Sequence, residues 1–252
     1  MRSLWPRPCS DRQRFVPPKS NEQLDLQALH RVRSRLVSQR TAVINQIRGF
    51  LLERGIIVRQ GLRFLRQLLP DILAKRTNVL SPRMVRIVSD LAGDWRQLDD
   101  RIETVTDEIE TLAKADDNCR RVMTVPGIGP IISSAMVAAI GNGSAFAKGR
   151  DYSAWLGLVP KQMSTGDRTI LGRLSKRGNS YLRMLFIQAA RVILVRPANW
   201  PKHGFGVWLV RAIQRLHPNV LAAALANKLA RIAWTVLAQE RSYEARVTTA
   251  EA

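Results

Sequence analysis

Six basic side chains and a single acid fall within 23 residues in the second half of the chain, together with the hydroxyl groups of Ser164, Thr165 and Ser175. The cations are Lys161, Arg168, Arg173, Lys176, Arg177 and Arg183. Cations on a glycine-rich backbone suit a phosphodiester, because each neutralised phosphate releases counterions. Ser164 is a candidate nucleophile on phosphorus, but a serine needs a base, a metal or charge stabilisation nearby. No histidine is close in sequence, so spacing alone favours a solvated turn serine.

A second candidate contact is the short segment 126–130, which reads PGIGP. Gly127 and Gly129 flank Ile128 between two helical patterns, which predicts a helix-hairpin-helix. The glycines would let backbone approach a phosphate, and the following helix would direct its free N–H groups at that anion. Ile128 would fill the space between the helices. A plain helix–helix turn is the alternative, since a Gly-x-Gly signal is weak by itself.

The charge distribution supports a polyanionic partner. The chain has 252 residues, a net charge of +20, a pI of about 11.4 and 46% hydrophobic residues, which exclude a wholly disordered basic tail. Residues 1–60 contribute +8, residues 61–118 contribute −2, and residues 119–252 contribute +14. Nucleic acid is therefore the first partner to consider, and an anionic membrane surface the second.

Several site classes are not expected. Two cysteines and three scattered histidines make neither a disulfide framework nor a zinc site. The acids do not assemble into a two-metal site, so we predict no metal ligands in this chain. There is no P-loop and no H-E-x-x-H helix.

Membrane insertion and secretion are not expected either. The first residues have no apolar run typical of a signal peptide, and the most apolar stretch, residues 220–237, contains Lys228 and Arg231. A cytoplasmic protein without membrane contact is the expectation.

Two long apolar stripes must position these groups. On the first predicted helix the stripe is Leu29, Val32, Leu36, Val43, Ile47 and Phe50. On the second it is Met84, Val88, Leu91, Trp95, Leu98, Ile102, Val105, Ile109 and Leu112. The spacings of three, four and seven predict a coiled-coil seam, with the acids of residues 99–110 on its outer face. The two helices would pair as an antiparallel hairpin or, alternatively, form a seam between two chains.

The fold expected from these patterns is mainly α. It comprises an irregular N-terminal segment (1–19), a coiled-coil helical region (20–117), a compact helical domain with the helix-hairpin-helix and the glycine-rich basic loop (118–240), and a polar tail (241–252).

The motifs also resemble those of a known family. PGIGP and its apolar helix, followed by AWLGLVPKQMSTGDRTILGRLSKRGNSYLRMLFIQAARVIL, resemble the C-terminal domain of the IS110-type (IS116/IS110/IS902-like) insertion-sequence transposases. RFVPPKSNEQLDLQALHRVRSRLVSQRTAVINQIRGFLLERGI resembles the segment by which that family enters its coiled coil. The resemblance covers roughly residues 13–240.

The resemblance implies DNA cleavage and strand transfer, with Ser164 as the nucleophile on a DNA phosphate. It implies a structured guide RNA, DNA element ends and targets, and a homo-oligomer formed through the coiled coil. Mg²⁺ would be held by four acids of an N-terminal RuvC-like domain, which in the family precedes the RFVPPKS-like segment. About a dozen residues precede that segment here, and Asp11 is an isolated acid. The expectation is an N-terminally truncated member that binds nucleic acid but does not cut DNA alone.

Two further interpretations remain. One is a non-catalytic nucleic-acid-binding remnant that could still dimerise. The other, resting only on residues 126–130, is a helix-hairpin-helix repair or replication accessory factor.

Overall fold

The structure, a computed structural model of the chain, describes residues 18–75, 79–165 and 168–245. Most of the predicted N-terminal segment, Gly166 with Asp167, and residues 246–252 of the predicted tail lie outside these ranges. The fold is mainly α, as predicted. It divides into two compact units, Asp25–Ala115 and Asp116 onward, the latter joined by the chain up to Leu24.

Three helices build the Asp25–Ala115 unit: α1 (Asn21–Glu53, whose first residues belong to the other unit), α2 (Leu62–Lys75) and α3 (Pro82–Ala115). A reciprocal capping box starts α1: Gln23 N–H donates to Ser20 Oγ, and Ser20 N–H donates to Gln23 Oε1. Gly55, at φ 73°, ends it, and the N–H groups of residues 55 and 56 return to carbonyls of the last turn.

The long helices α1 and α3 run antiparallel within one chain. Arg33 Nε donates to Thr106 Oγ1 at 2.8 Å, and Arg40 donates to Asp99 Oδ1 at 3.1 Å. From the first contact to the second, the position moves seven residues forward on α1 and seven residues back on α3. Only antiparallel helices produce this pattern. The hydrophobic core of this unit is shared by all three helices and includes Ile47 of α1.

The predicted seam is only partly correct. On α3, one row of the seam is buried as predicted: Val88, Trp95, Ile102 and Ile109. The second predicted row, which ends at Leu112, is half-buried or exposed. The row one residue later along the helix is buried or half-buried instead, and it consists of residues 92, 99, 106 and 113. On α1, Val32 is 44% exposed and His30 is buried instead. The seam is displaced because polar residues occupy part of it.

Asp99 shows the consequence of that displacement. It does not lie on a solvated outer face, because Arg40 and Arg66 both bind its carboxylate, at 3.1 and 2.5 Å. Its side chain is only 22% exposed.

The second unit surrounds α9 (Pro218–Ala238), whose leucines and alanines are buried against α4 (Asp117–Met123), α6 (Gly149–Trp155) and α7 (Ser180–Leu194). Between these elements lie the other helices: α5 (Pro130–Ile140), a 3-10 helix (Pro197–His203) and α8 (Gly206–Ile213). By length and composition α9 could cross a membrane, but half of its most apolar window is buried inside the protein. A helix buried in the core of a globular protein can have the same length and composition.

The unit also contains a two-stranded antiparallel hairpin, β1 (Pro160–Thr165) and β2 (Arg168–Leu174). All but the last of its strand residues are exposed, so the hairpin stands out from the helical core. Tyr243, in the predicted polar tail, is hydrogen-bonded to two earlier parts of the unit. Tyr243 N–H donates to Thr124 Oγ1 at 2.8 Å, and its hydroxyl donates to the carbonyl of His203 at 2.6 Å.

Candidate functional site

The segment after α4 makes the tight turn that the sequence predicts. Pro130 is the first residue of α5, and Ile128 is 5% exposed, filling the space beneath the turn. The N–H groups of Gly127, Gly129 and Ile131 donate to no acceptor in the described part of the chain. Three free donors near one helix start are a suitable environment for an anion.

The two glycines of this turn differ in what surrounds them. Gly127 has φ 79°, and a Cβ there would lie 2.8 Å from Ile193 Cδ1 of α7. A Cβ on Gly129 would meet nothing within 4 Å. Gly127 is therefore required by the packing of the turn on α7, whereas the space beside Gly129 is open. Sequence reasoning gave both glycines one role, approach to a phosphate. Packing on α7 is an additional requirement at Gly127, and contact of either glycine with a phosphate stays a prediction.

Ser164 lies near the end of β1, on the β1–β2 hairpin. The strand register pairs it with Thr169 and pairs Gln162 with Leu171, so these four residues share one face of the hairpin. Arg168 pairs with Thr165 on the opposite face. The hairpin thus separates the candidate nucleophile from one of the cations predicted to act beside it.

The hydroxyl of Ser164 has one protein partner among the described residues. Gln162 Nε2 donates to Ser164 Oγ at 2.8 Å, an exposed contact that leaves the hydroxyl hydrogen free to donate elsewhere. No described histidine, lysine or carboxylate is hydrogen-bonded to Ser164. The hairpin therefore presents an accessible serine, and it supplies no general base of its own.

Two glycines lock the base of the hairpin to the start of α7. Gly157, at φ 71°, faces the carbonyl oxygen of Arg177, and Gly178, at φ 80°, faces the carbonyl oxygen of Trp155. A Cβ on either residue would lie 2.1 Å or less from that oxygen. The WLGLVP and SKRGN segments are therefore interlocked, and this contact fixes where the hairpin leaves the core.

Backbone hydrogen bonds reinforce this interlock. Ser175 N–H donates to the Val159 carbonyl at 2.8 Å, and Lys176 N–H donates to the Gly157 carbonyl at 3.2 Å. Lys176 has φ 53°, an uncommon conformation for a residue with a side chain. Asn179 then caps α7 by accepting the N–H of Leu182.

The six predicted cations fall into two groups. Five are exposed on or beside the hairpin: Lys161, Arg168, Arg173, Lys176 and Arg177. Arg183 is different, because its guanidinium donates to the Leu156 carbonyl at 2.8 Å and the Arg177 carbonyl at 3.1 Å. Arg183 therefore positions the interlock, and any contact between Arg183 and nucleic acid remains a prediction.

The described residues contain no group of three or more histidine, cysteine, aspartate or glutamate side chains that could hold a metal ion. Asp99, which the sequence analysis placed on the outer face of the seam, is bound by two arginines. The residues that the structure describes therefore do not fit the Mg²⁺ site that the family resemblance implies.

A second basic surface was missed by sequence reasoning. A cleft of about 970 Å³ is lined by parts of α6, α8, α9 and the C-terminal segment. Its cations are Lys148, Arg150, Lys228, Arg231 and Arg241. The available signal was the pair Lys228 and Arg231, three residues apart on an otherwise apolar helix, which the sequence analysis used only as an argument against a membrane span.

Comparison with known proteins supports one family over most of the chain. Residues 119–203 match the domain described as "Transposase IS116/IS110/IS902 family". A "Probable family 20 transposase" of Pseudomonas aeruginosa is 42% identical over 91% of this chain and 68% of its own length. The "Transposase for insertion sequence element IS1111A" of Coxiella burnetii is 40% identical over 91% of this chain and 63% of its own length.

A third relative has similar coverage. The "Transposase for insertion sequence element IS1328" of Yersinia enterocolitica is 38% identical over 89% of this chain and 66% of its own length. The chain therefore spans about two thirds of the length of these curated relatives.

Proposed function

Because the chain belongs to the IS116/IS110/IS902 family of insertion-sequence transposases, we propose that it acts on DNA in transposition, with Ser164 as the nucleophile. The observation that carries the proposal is the placement of Ser164 on an exposed hairpin whose base is locked by Gly157 and Gly178. An accessible hydroxyl on a fixed support is what nucleophilic attack on a large substrate requires.

The step is an exchange of one phosphate ester for another. Ser164 Oγ forms a bond to the DNA phosphorus, and the bond from phosphorus to the oxygen of the departing strand breaks. The proton of the serine hydroxyl is released, and the departing oxygen takes up a proton. One strand end is then covalently held as a phosphoserine ester, which a second strand's hydroxyl can later attack to restore the enzyme and join the strands.

The contribution of the described residues is binding and positioning. The exposed cations of the hairpin neutralise strand phosphates, and the free N–H groups of residues 127, 129 and 131 donate hydrogen bonds to phosphate oxygens. Because no base contacts Ser164 in the described residues, activation of its hydroxyl depends on groups supplied from elsewhere. The purified chain alone is therefore proposed to bind DNA without robust strand transfer.

A suicide substrate tests the nucleophile without requiring the complete reaction. DNA carrying a phosphorothiolate at the cleavage position releases a thiolate, which needs no proton on departure, so the covalent protein–DNA adduct accumulates. The expected result is an adduct with the unmodified chain, none with Ser164→Ala, and an undiminished adduct with Thr165→Ala, the neighbouring hydroxyl. An adduct that survives Ser164→Ala contradicts the assignment.

A non-catalytic nucleic-acid-binding role is the second candidate. The observation that favours it is the hydrogen bonding of Ser164, whose hydroxyl meets Gln162 and no described base or acid. If neither the unmodified chain nor Ser164→Ala forms an adduct while both bind DNA equally, this role is supported over catalysis.

Three further partners and settings belong to the same proposal. A structured guide RNA would choose the DNA sites, the chain would act in the bacterial cytoplasm at the nucleoid, and two or more copies would assemble. The α1–α3 pair is formed within one chain through Arg33 and Arg40, so self-association would use other surfaces. Leu24, Val32 and Leu112, each at least 44% exposed on these helices, are the candidates. Light scattering on the chain and on Val32→Asp tests this assembly.

A further inference from the structure

The cleft beside α9 has the composition of a nucleic-acid site, although it shares no residue with the β1–β2 hairpin. Its lining includes five cations, one acid (Glu244) and the aromatic rings of Phe205, Trp208 and Tyr243. Phe205 is buried, whereas Trp208 and Tyr243 are half-buried and keep part of their surface accessible. Basic side chains combined with accessible aromatic rings are typical of surfaces that bind unpaired nucleotides.

The positive charge of the cleft is not neutralised by the protein. None of its five cations forms an ion pair with an acid within the described ranges. By contrast, Arg40 and Arg66 of the helical unit share the carboxylate of Asp99. Like charges gathered in a concave surface repel one another and weaken the fold, so their retention indicates an anionic ligand.

Lys228 lies beside two of the aromatic rings of the cleft. Its ammonium is 4.8 Å from the centroid of the Trp208 ring and 5.9 Å from that of Phe205. Burial, and then the charge of Arg231, lower the pKa of Lys228 below its usual value. A bound phosphate would offset the effect of Arg231, because it adds a negative charge beside the two cations.

The size of the cleft limits the ligand. A volume of about 970 Å³ is that of a site for a small molecule or a few nucleotides. Asn227, also in the lining, adds an amide suited to a base edge, although its Nδ2 already donates to the Leu158 carbonyl.

From these observations we infer that the cleft binds a single-stranded nucleic-acid segment, with Lys228 and Arg231 on successive phosphates and the Trp208 region against a base. The inference rests on the proposed function for the class of partner, but not on Ser164 or the hairpin. Asn227 also connects the two surfaces, since its bond to Leu158 holds the segment just before β1. A strand in the cleft would therefore lie on the same unit as the serine.

Binding of fluorescently labelled oligothymidylate and oligouridylate, measured by anisotropy over a range of salt concentrations, tests the inference. The double variant Lys228→Gln/Arg231→Gln should lose about tenfold or more in single-strand affinity, because two charge-assisted contacts disappear. The slope of log affinity against log salt should fall by about 1.4, since each phosphate contact on a single strand contributes roughly 0.7. The two oligonucleotides distinguish DNA from RNA as the ligand.

Two controls separate the cleft from general charge and from the hairpin. Arg96→Gln/Arg101→Gln removes the same charge from exposed positions of α3 and should leave single-strand binding within about twofold. Lys161→Gln/Arg168→Gln, on the hairpin, should weaken binding of duplex DNA. Adding Lys228→Gln/Arg231→Gln to that variant should still lower its single-strand salt slope by about 1.4.

The outcomes distinguish failure of this inference from failure of the proposed function. If the cleft variant binds single strands as the unmodified chain does, or if the α3 control loses as much, the cleft assignment is overturned. Should the cleft variant fail to fold, Arg150→Gln/Arg241→Gln, at two exposed lining positions, provides the same test. Loss of the Ser164 adduct with intact cleft binding leaves this inference standing.

Discussion

The interlock at the base of the hairpin makes Gly178→Ala the sharpest test of how Ser164 is held. A Cβ on Gly178 would lie 1.8 Å from the Trp155 carbonyl oxygen, whereas ordinary contact begins at 3.4 Å. The two backbone segments must therefore separate by about 1.6 Å, and the alanine must also adopt φ 80°. The conformation alone costs about 1–2 kcal/mol, and loss of the close packing brings the expected total to roughly 3 kcal/mol.

Hydrogen exchange measures this cost at the site itself. The amides of Ser175 and Lys176 bond across the interlock, to Val159 and Gly157. A loss of roughly 3 kcal/mol should speed their exchange about a hundredfold, because each 1.4 kcal/mol is a factor of ten. A misplacement of about 1 Å at the serine should also lower adduct formation on the order of a hundredfold.

Gly172→Ala is the matched control within the same hairpin. Gly172 does not have a positive φ, and its Cβ would meet nothing nearer than the Lys161 carbonyl oxygen at 3.6 Å. Its exchange and adduct yield should remain within a few-fold of the unmodified chain. If Gly178→Ala exchanges no faster than Gly172→Ala, the interlock does not hold the hairpin and the reasoning is wrong.

Four other substitutions test separate parts of the fold. Gly127→Ala should lower the melting temperature by several degrees, because φ 79° and Ile193 Cδ1 at 2.8 Å both oppose a side chain. Gly129→Ala, with open space around it, should melt like the unmodified chain but bind DNA more weakly. Burial, and then Arg33, lower the pKa of His30 to about 4, so its neutral form stabilises the folded state above pH 6.5 and the stability is lost as pH falls toward 4. Urea titrations at pH 7 and pH 5 should differ by roughly 2 kcal/mol more in the unmodified chain than in His30→Leu, and equal differences would exclude this role. Asp99→Asn should destabilise the helical unit by about 1–2 kcal/mol, because two arginines lose their shared carboxylate. If chemical denaturation gives the same free energy of unfolding for both chains, the ion pairs do not contribute to stability.

The helices could be predicted because their apolar spacing is regular, but the seam between α1 and α3 could not be placed correctly. Apolar periodicity selects Leu98 over Asp99, since a carboxylate is not expected in a buried row. Arg40 and Arg66 reverse that choice by supplying its counter-charges from two other helices. Such pairing is not local in sequence, so no periodicity reveals it.

The glycines of the site illustrate a second limit. The sequence shows where Gly157 and Gly178 stand, and a Gly-rich basic loop is a reasonable interpretation of that stretch. It does not show that the two residues face each other's segments across some twenty positions of chain. Neither residue can carry a side chain, because a backbone carbonyl oxygen occupies the space where its Cβ would lie. This contact fixes the base of the loop.

The distribution of charge within the C-terminal unit connects the two proposed surfaces. Some of its cations serve the fold: Arg183 binds backbone carbonyls, and Arg120 pairs with Asp117. Those on the hairpin and in the cleft have no acidic partner among the described residues. Ten cations of the unit lie on the hairpin or in the cleft, beside an accessible serine or around Lys228. Five more lie exposed elsewhere on the unit: Arg191, Arg196, Lys202, Arg211 and Arg215. Because leaving like charges unpaired at these two places weakens the fold, a polyanion that covers both surfaces accounts for their position better than solubility does.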